Sequence, residues 1–283
     1  MTTGSSGTPF RPSWIDDLNR WVQGLRLRPW LVDLLLGGAL ILAQLLFLWL
    51  DSGSLANELL PVIFFNSLAV PYLLAMIRLL DQEALSALKS MRPVLRLPPE
   101  ELPTVQFRIA HMPFLAPLLA GLAMTLFAIL FPLVAAEPER YAVLDQLSLF
   151  TLLFHIIDKS SAFLFGVVIY HTIRQLRLVN AINTNDIHIN IFQLRPVQSF
   201  SRLTAATALA LLIFFYGWIV INPELLADPA ILVVSLLFTA LAVLVFVWPL
   251  WSLHRLMVVE KERSLREIEL QFELLFGQFN RHI

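Results

Sequence analysis

The chain reads as an all-α polytopic membrane protein, a six-transmembrane-helix bundle with a cytoplasmic C-terminal helical extension. Three observations carry this reading. First, 58% of the 283 residues are hydrophobic and only 14% charged, with a mean hydropathy of +0.73, whereas a soluble domain carries roughly 25% charge. Second, the stretches 30–50, 59–80, 112–136, 147–173, 203–221 and 230–251 are apolar and, as helices, long enough to cross about 30 Å of hydrocarbon. Helix is the form that satisfies its own backbone there. Third, all of the 20 lysines and arginines except Arg140 and Lys159 precede span one, fall at or between spans two and three, fall between spans four and five, or follow span six. Basic loops stay in the cytoplasm, so both termini are expected there, with the cell (inner) membrane as the location.

Residues 1–29 form the expected N-terminal unit. A Gly/Ser/Thr tail, 1–8, precedes an amphipathic helix over 13–27. Ser13 and Asp16 have capping-box spacing, and Trp14, Leu18, Trp21, Val22 and Leu25 recur at helical intervals. Such a helix either lies on the cytoplasmic leaflet or packs against another cytoplasmic segment. The first 29 residues lack an apolar core suited to a cleavable signal, so span one is expected to direct insertion.

Residues 30–251 form the transmembrane unit. Its outer connections, 51–58, 137–146 and 222–229, are short and acidic, which leaves no room for an extracellular ligand domain. Gly37-Gly38, Ala116 with Ala120, and Ala206 with Ala210 are small-residue pairs that permit close helix approach. Pro71 and Pro117 are expected to kink helices or mark their starts.

Residues 252–283 form a cytoplasmic helix continuous with span six. Val258, Leu265, Ile268, Phe272, Leu275 and Phe279 follow a three-four spacing, interrupted by Lys261. This is a coiled-coil seam of three heptads, compatible with a homodimer; the alternative is an amphipathic helix folded back on its own loops. The pattern still runs at Arg281-His282-Ile283, as expected of a piece of a longer protein. A span continuing into a charged, heptad-like helix resembles the way sensor and transducer membrane domains hand a signal to a cytoplasmic module. That likeness covers about the last 35 residues and is architectural.

The chemistry concentrates in span four, where His155, Asp158 and Lys159 lie near the expected bilayer midplane. Ionisable groups at that depth normally face a protein interior or a wet cavity. They fit either an ion or proton relay, or a polar cluster that fixes span four in the bundle. Asp33, near the cytoplasmic end of span one, is the other acid within a span and is expected to pair with Arg78 or another boundary cation. Asp186, His188 and Asn190 would share one face of a short extended segment, a pattern more often merely solvated than metal-binding. With no cysteine, thiol chemistry and thiolate metal sites are excluded. Zincin, nucleophile-elbow and phosphate-loop motifs are absent from the sequence, and a net charge of −1 gives no nucleic-acid footprint. No cofactor is indicated. The expected partners are the lipid bilayer, a second copy of the chain, and a cytoplasmic protein. The reading is a non-enzymatic membrane module, signal-transducing or scaffolding; the alternative is a small ion- or proton-coupled transporter or channel using His155, Asp158 and Lys159.

Overall fold

A computed structural model describes residues 10–55, 58–92, 98–133, 144, 146–185, 195–223 and 228–279. Apart from one isolated bridge, Pro12 with Pro113, the regular elements among the described residues are helices: α1 (Trp14–Gly24), α2 (Pro29–Ser52), α3 (Leu60–Met91), α4 (Leu102–Ala110), α5 (Leu115–Leu130) with a following 3-10 turn (Phe131–Leu133), α6 (Leu149–Asn185), α7 (Arg195–Ile221) and α8 (Pro229–Phe279). Five stretches, Pro29–Ser52, Leu60–Ser90, Leu115–Leu133, Leu149–Leu178 and Ser201–Ile221, are long and apolar enough to cross a membrane, and Pro229–Leu244 at the start of α8 is apolar but shorter. This is the pattern of a multi-pass membrane protein.

Local sequence sets the helix ends. The Ser13 hydroxyl accepts from the Asp16 amide while the Asp16 carboxylate accepts from the Ser13 amide, the full capping box. Pro29 opens α2, where its missing N–H is no loss. Gly53, at φ 66°, closes α2 in the left-handed conformation that suits glycine. Asp51, at the end of α2, accepts from the Phe150 amide at 2.8 Å, which places a carboxylate at the N-terminus of α6.

α3 is the central helix. In the most apolar part of each span, 56% of α3 is buried inside the protein, against 17% of α2 and 11% of α5. Around it pack α2, α6 and α7, with α5 lying on α6, and α8 on α7 and α6. Gly166 lets α6 approach the backbone of α5: a methyl there would strike the Ala120 carbonyl and lie 2.7 Å from Met124 Cβ. Polar links join the spans as well. Gln44 Nε2 donates to Ser67 Oγ at 2.6 Å, the Tyr72 hydroxyl donates to the Ala210 carbonyl at 2.9 Å, and Tyr216 and Thr239 share a 2.7 Å hydrogen bond. In lipid such links contribute about 0.5–2 kcal/mol each.

Two sequence-drawn boundaries shift. α3 continues past residue 80 and α6 past residue 173, because helix persists beyond the apolar stretch where a new core begins: Ala84 and Leu88 are buried with Ile109 and Leu203. The orientation of α1 is also resolved. Its buried residues are Ile15, Asp16, Asn19 and Val22, and Ile15 joins a core with Leu73, Ile77 and Met112. Trp21 of the expected apolar stripe remains 62% exposed. α1 is therefore docked on the bundle. The described part of the expected seam is outward-facing, with Val258, Leu265, Ile268 and Phe272 all exposed; the side chains of Leu275 and Phe279 lie outside the described residues.

Candidate functional site

At the end of the bundle away from α1, a cavity of about 280 Å³ opens between α3, α5, α6, α7 and α8. Each helix contributes an aromatic or apolar wall: Phe65 from α3, Met124 and Phe127 from α5, Phe154 and Phe165 from α6, Phe214 and Trp218 from α7, Val234 and Phe238 from α8. The rings brace one another, with Phe165 stacked on Phe214 at 4.7 Å and Phe215 on Phe238 at 4.6 Å. Such pairs favour offset faces and hold a wall rigid.

His155, Asp158 and Lys159 all line this cavity, joined by Asn66 and Ser161. Asp158 Oδ2 and Lys159 Nζ are 2.8 Å apart and the two side chains are 36% and 30% exposed, so the pair faces open space and not a dry core. Neighbours in sequence point about 100° apart on a helix, yet these two meet because the long lysine stem folds back toward the carboxylate. An unpaired ammonium surrounded by apolar walls would be costly. Lys159 Nζ also donates to the Ala128 carbonyl at 3.2 Å, which ties α6 to α5. Ser161 Oγ donates to the Asp158 carbonyl at 2.7 Å, and Asn66 Nδ2 reaches the Phe154 carbonyl at 3.5 Å. Among the described residues the His155 ring makes no hydrogen bond. By 1.5 Å per residue from Leu149, Asp158 lies about 14 Å along α6.

Asp33 does not belong to this site. It ion-pairs with Arg78, whose Nη1 also donates to Asn19 of α1 at 3.3 Å. The pair sits in a second polar cluster at the α1 end. There Asp16 accepts from the Met112 amide at 3.1 Å, and Asp81 receives His171 Nε2 and Gln175 Nε2, both at 2.9 Å. Sequence reasoning missed Asp81, His171 and Gln175. The available clue was an uncharged polar pattern at one-turn spacing, His171 and Gln175, with an acid one residue beyond span two. No group of three or more His, Cys, Asp or Glu able to hold a metal occurs among the described residues. Asp186, His188 and Asn190 lie outside them.

Compared with known proteins, the chain matches no family model, no curated protein and no solved structure.

Proposed function

We propose that the chain is a non-enzymatic membrane module with six spans and cytoplasmic termini, which receives a stimulus in the aromatic cavity and transmits it through α8. One observation carries this reading: Val234 and Phe238 of α8 line the cavity, and the same helix runs unbroken to Phe279. At 1.5 Å per residue α8 is about 76 Å long, so a tilt imposed at the cavity is displaced far beyond the bilayer. The sixth span is the first half of α8, and the exposed stripe Val258, Leu265 and Ile268 supplies the output surface, either for a second copy or for a cytoplasmic protein. Ala162 of α6 also lines the cavity, and filling it with Ala162→Phe is expected to alter amide hydrogen exchange across 252–279 in nanodiscs. Unchanged exchange in a folded variant removes the reading. Single-molecule mass measurement in nanodiscs tests self-association: a monomer with and without residues 258–283 ends the coiled-coil version.

A transporter reading is favoured by Asp81 beside His171, which adds an acid from a second helix along α6. His171 lies 16 residues past His155, about 24 Å along the helix, and the intervening Leu164, Phe165, Val167 and Val168 are buried and apolar. That separation places transport second. Proton or ion flux in proteoliposomes that is abolished by Asp158→Asn and Lys159→Met would reverse the order; flux indifferent to both ends this reading.

A further inference from the structure

We infer that the cavity binds a lipid-soluble molecule with a flat, uncharged ring head bearing hydrogen-bond-accepting carbonyls, the chemistry of a quinone. The inference rests on the cavity being the input site, and it adds the class of ligand. Three features select the head. Asp158 and Lys159 neutralise each other at 2.8 Å, so the site offers no net charge to a ligand that would itself be dehydrated at bilayer depth. The walls are rich in aromatic rings, Phe65, Phe127, Phe154 and Phe214 among them, which suit a flat aromatic or quinonoid partner. Donors for such carbonyls line the cavity, beside the acceptor oxygens of Asp158 and Asn66. Lys159 uses two of its three N–H groups, on Asp158 and Ala128, and the His155 ring N–H and Asn66 Nδ2 stand beside it.

Size and access agree. About 280 Å³ is near the lower end of small-molecule sites, enough for a ring head and the first part of a chain. The chain would leave sideways. Phe127 of α5, part of the lining, is 42% exposed, so the cavity wall on that side meets the surroundings of the bundle; the 3-10 turn after α5 packs on α8 through Phe131 and Ile231. A phospholipid fits less well, because its headgroup belongs at the interface and not at the depth of Asp158.

The test is photolabelling in nanodiscs with an azido-benzoquinone carrying a short alkyl chain, with labelled peptides located by mass spectrometry. Label is expected on α5, α6 and α8 peptides around Phe127, His155 and Phe238. Excess unlabelled decylubiquinone should reduce it at least tenfold. Lys159→Gln and His155→Phe should each weaken competition about tenfold, and Ala162→Phe should abolish it. Competition in the wild-type protein keeps the test independent of whether a variant folds. Label spread over the lipid-facing side of α2, or untouched by competitor, overturns the inference. So does displacement by farnesol or a sterol with no displacement by the quinone. Site-specific, competed labelling that leaves hydrogen exchange in 252–279 unchanged supports the ligand class and removes the transduction reading alone.

Discussion

Gly166 marks a point where one methyl group separates two packings. The atom that a side chain would meet is the Ala120 carbonyl, and backbone cannot swing aside as a side chain can. Gly166→Ala is therefore expected to push α5 from α6 and cost about 1–3 kcal/mol, read as a lowered Tm by scanning fluorimetry in detergent. Gly38 has nothing within 4 Å of its added methyl, so Gly38→Ala should leave Tm unchanged or raise it, by up to about 1 kcal/mol of helix propensity. A fall in Tm at Gly38 matching that at Gly166 would contradict the packing described for α5 and α6. Arg78 is the corresponding electrostatic point. It is buried against Asp33 and Asn19, and Arg78→Met strands both, at about 3–5 kcal/mol. Adding Asp33→Asn should recover part of that loss; no recovery would show that the pair is not the source.

Among the helices, α1 shows how far periodicity can be read. The capping box and the helix follow from Ser13, Asp16 and the apolar spacing, and Trp14, Leu18 and Val22 of that stripe do turn inward, but the buried face also takes in Asp16 and Asn19 and leaves Trp21 exposed. The physical reason is that beside a membrane two apolar solvents compete for a hydrophobic stripe, lipid and protein core. Here the polar residues decide, because their partners, the Met112 amide and Arg78, lie on the bundle. Asp16→Ala should consequently release α1 while sparing the rest of the bundle: hydrogen exchange in 14–24 rises and that around Phe65, in the half of α3 away from α1, does not. Equal loss there would mean that α1 is integral to the bundle and not a docked element. The same limit explains Asp81. It falls one residue past the apolar end of span two, so a search for acids inside spans passes over it, although the helix continues and seats it, half-buried, against the buried His171.

Taken as one body, the chain declares its class in its composition and its critical residues in part. His155, Asp158 and Lys159 are visible as charges in an apolar run, and Asp33 with Arg78 as a boundary pair. What cannot be read along the chain is the cavity that the first three line, since its walls come from five helices and its shape depends on how far α5 and α8 stand apart on α6. The coupling proposed between that cavity and the tail would likewise belong to the assembled bundle. With no cysteine in the sequence, two can be introduced without background. Electron–electron distance measurement between spin labels at Lys89→Cys on α3 and Glu262→Cys on α8, in nanodiscs, compares the native cavity with one filled by Ala162→Phe. Transmission through α8 predicts a distance distribution displaced by about 2–5 Å, the range of helix shifts and one-turn steps. Superimposable distributions, in a variant that retains its Tm, would contradict it.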